Sequence, residues 1–145
     1  MTGRGLGGAG RGMRADRFCL AIKAILAGPI GLRQLYLLHS RRGWHRAAIV
    51  DLYSENAREV ARAVIKRCQR HSISSDFPVE VEDDLGIVYG FAGEDLVDMV
   101  TALCDECTRV LPYGPDFRCA QVRTVNGLID YISRQPRESR SHDHF

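Results

Sequence analysis

The sequence predicts an all-α fold, a small helical bundle preceded by a basic extension. Apolar residues recur at helical spacing in three segments between Glu55 and Ser133. Strand-like alternation is confined to Val79 and Val81, where Pro78 and the acidic run at 82–84 argue against a lasting strand. Charge divides along the chain: residues 1–71 carry 14 Lys/Arg against 4 Asp/Glu, and residues 72–135 carry 4 against 12. Behind a net charge of only +2, this split implies two parts with different partners, or two parts that attract each other.

A chain of 145 residues suits one domain with extensions. The expected division is a basic, partly disordered extension over 1–50, a helical domain over 51–135 and a disordered tail over 136–145. The cysteines are Cys19, Cys68, Cys104, Cys107 and Cys119. An odd number without a convincing signal peptide argues against a disulfide scaffold and for a reduced, cytoplasmic setting. Residues 18–38 are rich in apolar side chains, but Lys23, Pro29 and Arg33 interrupt them. A membrane span wants about 20 largely uncharged residues, so none is expected. Lys23 also interrupts the apolar core that a secretory signal would need.

Residues 1–12 are mostly glycine and arginine, with almost nothing to bury, and disorder is expected there. A start at Met13 or later, with translated flanking DNA before it, is an alternative reading of this end. Asp16–Ala27 reads as a helix carrying Phe18, Ile22, Ile25 and Leu26 at helical spacing. Gly28-Pro29 should break it. Leu32–His39 reads as a second short helix, and Ser40–Arg46 as a basic loop.

The strongest helix signal is Glu55–Arg70, with Ser54 as N-cap. Ala57, Val60, Ala61, Val64, Ile65 and Cys68 form its apolar stripe, while Arg58, Arg62, Lys66, Arg67 and Arg70 lie off it. A long irregular connection over 72–92 follows, pinned by Phe77, Val79, Val81, Leu85 and Ile87. The next helix is Gly93–Val110, with Leu96, Val97, Met99, Val100, Leu103, Cys104 and Cys107 inward. Its first turns carry Glu94, Asp95 and Asp98, which suit the positive end of the helix dipole. Pro112 and Gly114-Pro115 should end it. Asp116–Gln121 is expected to form one turn. Thr124 then caps a last helix to Ser133, with Val125, Leu128, Ile129 and Ile132 on one face.

Three strings in this half carry a family resemblance. They are E-D-D-L-G (Glu82–Gly86), G-E-D-L-V-D-M-V-T-A-L-C-D-E-C (Gly93–Cys107) and R-T-V-N-G-L-I-D-Y-I (Arg123–Ile132). With three main helices, a long first loop and a short third turn, they resemble the acyl carrier protein family over roughly residues 54–134. The resemblance implies that Asp83 or Asp84 with Leu85-Gly86 leads into an acidic second helix. Asp98 and Glu106 lie on the helix that partner enzymes of the family grip with Arg and Lys. A serine at its start carries the 4'-phosphopantetheine arm in that family.

Here the pattern departs. Val88–Phe91 look like an insertion, the Asp-Ser-Leu triplet becomes Ala92-Gly93-Glu94, and no serine occurs between Ser75 and Ser133. Gly93 stands at the attachment position and has no hydroxyl to attack a phosphoanhydride. D-D-L-G-I followed by G-E-D is closer to a carrier-like branch of unknown function that reads D-D-L-G-I and then G-D-D. The resemblance therefore implies an uncharged, non-catalytic carrier-like domain without cofactor. It would dock to a basic patch on a partner through Glu94, Asp95, Asp98, Asp105 and Glu106. Two alternatives stand beside it. One is a functional acyl or peptidyl carrier bearing 4'-phosphopantetheine. The other is a nucleic-acid-associated protein using the basic residues 1–71.

Other constellations carry less. Cys104 and Cys107 form a C-x-x-C at a helix end on the apolar stripe, where two small core residues are expected. A zinc site would need about four ligands, which only Cys119 with His71, His142 or His144 could complete. His39 and His45 lie in the basic region without a nearby carboxylate, and Gly3–Gly12 lacks the strand that a dinucleotide loop requires.

Overall fold

A computed structural model describes residues 9–41, 49–111 and 122–139. Among these, six α-helices and one 3-10 turn form the fold, and the only β-type pairings are isolated bridges between Asp84 and Thr124 and between Arg109 and Arg137. The helices are α1 (Ala9–Leu26), α2 (Gly28–Ser40), α3 (Glu55–Arg70), α4 (Leu85–Tyr89), α5 (Glu94–Glu106) and α6 (Val125–Ser133), with the 3-10 turn at Ile49–Leu52. The all-α bundle is therefore as the apolar periodicity demands. Segments expected at Ser40–Arg46 and Asp116–Gln121 lie almost wholly outside the described residues.

The core is built by α3, α5 and α6, each packed on the other two. Val60, Val64 and Cys68 of α3 meet Val100 and Leu103 of α5 and Val125, Leu128, Ile129 and Ile132 of α6, all fully buried. Phe77, Val79 and Leu85 pin the connection beneath them. Three residues of the expected stripes sit further out. Ile65 is half-buried, Val97 is exposed at the edge of α5, and Ile87 is 48% exposed on α4.

The connection is not irregular throughout, because α4 forms within it. Asp84 caps α4 by accepting from the backbone N–H groups of Gly86 and Ile87, each at 2.9 Å. Gly90 ends it in the left-handed conformation, φ 77°. The same turn hooks onto the start of α6. Leu85 N–H donates to Arg123 O (2.8 Å), Val125 N–H to Asp83 O (3.0 Å) and Asn126 N–H to Val81 O (2.8 Å). Thr124 caps α6 through Gly127 N–H at 3.0 Å, whereas Ser54 holds the N-cap position of α3 without a side-chain bond.

The helix expected over Gly93–Val110 starts one residue later and stops at Glu106. Thr108 is left-handed (φ 54°), and the Arg109 side chain turns inward. It donates to the carbonyls of Ser133 (3.0 Å), the last residue of α6, and Gln135 (2.9 Å) just beyond it, and to Asn56 at the start of α3. The expected terminators Pro112 and Gly114-Pro115 lie outside the described residues.

Over residues 9–41 the basic extension is helical and attached. Disorder was expected over 1–12, yet α1 begins at Ala9, so residues 9–12 belong to a helix; residues 1–8 lie outside the described residues. Propagating an existing helix costs far less than nucleating one. Gly28 (φ 69°) breaks α1 from α2, with Pro29 in the first turn of α2. The two helices meet so closely that a Cβ on Gly31 would strike the Ala24 carbonyl oxygen. α2 then packs on α4. Its Gln34, 2% exposed, donates to Val88 O (2.8 Å) and accepts from Ile73 N–H (2.9 Å). Phe18, Ile22, Ile25 and Leu26, at helical spacing in the sequence, do not face this contact; they are 67, 42, 67 and 82% exposed.

Candidate functional site: the acidic face of α5

Leu96, Met99, Val100, Leu103 and Cys104 turn one side of α5 into the core. Glu94, Asp95, Asp98, Asp105 and Glu106 are all exposed. At about 100° of rotation per residue, these five occupy about 120° of the helix circumference, opposite the buried stripe. Among the described residues only Glu106 has an ion pair, with Arg67 of α3 at 3.6 Å. Arg109, the basic residue that follows α5 most closely in sequence, is buried under α6 and leaves this face undiluted.

Beside this face, between α3 and α5, opens a cleft of about 460 Å³. Buried Phe91 and Met99 line it with apolar surface, and Arg67, His71, Asp95 and Asp98 supply its polar rim. The His71 ring stands edge-on to Phe91, centroids 5.0 Å apart. Sequence reading missed this cleft, because His71, Phe91 and Asp98 come together only through the fold. A basic side chain with an aliphatic stem suits it, the stem against Phe91 and Met99 and the cation by the carboxylates.

Gly93 stands at the N-cap of α5, exposed, with φ 57° and ψ −124°. This is the conformation of the first central residue of a type II′ turn, which glycine adopts and other residues avoid. A Cβ there would meet nothing within 4 Å, so space is not what opposes a side chain; backbone conformation is. Lacking a hydroxyl, Gly93 does not fit a phosphopantetheine arm, since no phosphodiester can form at a hydrogen.

No family model matches the chain, and no curated protein or solved structure matches it. The site is therefore argued from its own geometry.

Of the buried titratable groups Tyr89 borders the cleft, and the others lie away from the acidic face. Asp83, 5% exposed, accepts from Arg41 through both oxygens (2.5 and 2.9 Å), from Tyr89 Oη (2.7 Å) and from Glu80 N–H (3.0 Å). Burial opposes the Arg41 charge, but the hydrogen bond and attraction of Asp83 outweigh it and raise its pKa. Burial, then the Asp83 charge, pushes the Tyr89 hydroxyl up. Cys104 is buried and its thiol is pushed up to about 11 by burial, then by Cys107 and Asp105. Cys107 is raised likewise, first by burial. The C-x-x-C thus sits in the core as small apolar residues, with Cys119, His142 and His144 outside the described residues. Among the described residues no helix is long and apolar enough to cross a membrane.

Proposed function

We propose that this chain is a non-catalytic, carrier-like docking domain that binds a basic patch on a partner protein through α5. One observation carries the reading: five carboxylates share one exposed face of α5, and the nearest following arginine is turned into the core. Individual surface charges contribute little to stability. Together they create a field that speeds encounter with a cationic partner. The cleft beside Asp95 and Asp98 adds a place for one basic side chain to anchor. Gly93 supports the uncharged form of the reading, as it lacks the nucleophile and its backbone disfavours a replacement that would supply one.

The test is capture from the native host with wild type and with Asp98→Lys, Glu106→Lys together. The double variant is expected to melt with wild type and to lose the partners that wild type retains at low salt. If it captures the same proteins, α5 is not the docking surface. Full-occupancy addition of phosphopantetheine to wild type, read by intact mass after co-expression with a broad transferase, would instead support the functional carrier.

A further inference from the structure

The α1–α2 pair presents a second, chemically different surface. Six large apolar side chains stand in solvent on it: Phe18, Ile22, Ile25 and Leu26 on α1, and Leu32 (53%) and Tyr36 (71%) on α2. On α1 they follow the i, i+4, i+7, i+8 spacing and so form one face. Single exposed apolar residues are ordinary on soluble proteins; this concentration on one helix pair is not. Exposed Arg17, Lys23 and Arg33 lie on the same two helices, with Asp16 the acidic residue on them; Arg33 also shares a cavity with Glu82, Asp83 and Asp84. Across residues 1–50 the sequence carries nine Lys/Arg against one Asp.

We infer that the α1–α2 pair lies on the surface of an anionic lipid bilayer, its apolar face entering the headgroup boundary and its cations meeting lipid phosphates. The two features call for one occupant that satisfies both. Aliphatic side chains find no counterpart on a nucleic-acid backbone, whose recognition is cationic and aromatic. A second copy in a two-fold contact would cover the apolar residues but set one basic patch against another. An anionic bilayer takes both at once, apolar side chains at the headgroup boundary and cations at the lipid phosphates. It demands no crossing helix, and none is present among the described residues. Attachment is built in: Gln34 and Arg41 tie α2 to the bundle through buried bonds, so a bound helix pair carries the bundle with it. α5 packs on α3 and α6, whereas α2 packs on α4. The acidic face of α5, repelled by anionic lipid, is left for a partner.

The experiment is co-sedimentation of the full chain with phosphatidylcholine vesicles, with and without about 30 mol% phosphatidylglycerol. Wild type is expected to sediment with the anionic vesicles and to be released by salt. Phe18→Asp with Leu26→Asp, and separately Lys23→Glu with Arg33→Glu, should each weaken binding at least about tenfold. All four positions are exposed, and helical circular dichroism checks that both variants fold. Equal binding to neutral vesicles, no binding, or full binding by the apolar variant would overturn the inference. So would a concentration-dependent dimer that the apolar variant abolishes without any vesicle binding by wild type. Binding confined to a single-stranded RNA oligonucleotide, with the apolar variant unaffected, overturns it in favour of nucleic acid.

Discussion

Arg41 and Asp83, more than forty residues apart in sequence, form a two-pronged ion pair with side chains 9% and 4% exposed. The arginine closes the end of α2; the aspartate sits in the turn that caps α4 and hooks onto α6. One pair therefore joins the basic extension to the acidic half of the chain.

Removing one partner leaves the other charge buried. Arg41→Met is expected to cost about 3 kcal/mol in urea denaturation. Adding Asp83→Leu to that variant should cost less than the two single changes summed, because the orphaned charge goes with its partner. A loss below about 1 kcal/mol for Arg41→Met would show that the pair contributes no more than a surface bridge.

Gly93→Ser tests the backbone at the start of α5. With φ 57° and ψ −124°, the serine variant should be less stable than wild type by about 1–3 kcal/mol. Serine at exposed Ala92 should be nearly neutral. Should Gly93→Ser match wild type in stability, the positive φ is not a constraint on this site.

The cysteines should separate by environment. Cys19 is exposed, and Cys68, Cys104 and Cys107 are buried. A maleimide at mildly alkaline pH should label Cys19 promptly and the buried three only through unfolding. Burial, then the Asp83 charge, pushes the Cys68 thiol from 9.0 up to about 12. The unfolded thiol therefore releases its proton first as pH rises. Between about 9 and about 12 the folded state holds more protons, so stability falls across that window. Denaturation midpoints that are flat through this range, in wild type and in Cys68→Ala alike, would contradict the assignment.

The legible part of the fold is the part with a period. α3 and α6 declare themselves because Val60, Val64, Leu128 and Ile132 recur at helical spacing and something covers them. The same reasoning placed Phe18, Ile22, Ile25 and Leu26 on one face, correctly, but a period cannot say whether that face is covered. The acidic face of α5 was visible in the sequence; its neighbouring cleft was not, since Arg67 and Asp98 belong to different helices. Arg109 looked like a residue of the acidic helix because sequence adjacency conceals the left-handed Thr108 that turns it inward. Asp83 looked like one member of an acidic run, and only the fold sets it apart, by burying it against Arg41 and Tyr89.

Gln34 is both donor to Val88 and acceptor from Ile73. Its two bonds make the seating of α2 and the protection of a distant backbone amide a single event. The exchange rate of the Ile73 amide proton with deuterated water thus serves as a built-in gauge of attachment. When α2 lifts, that proton loses its acceptor and exchanges; when α2 is seated, whether in solution or on a bilayer, it is held.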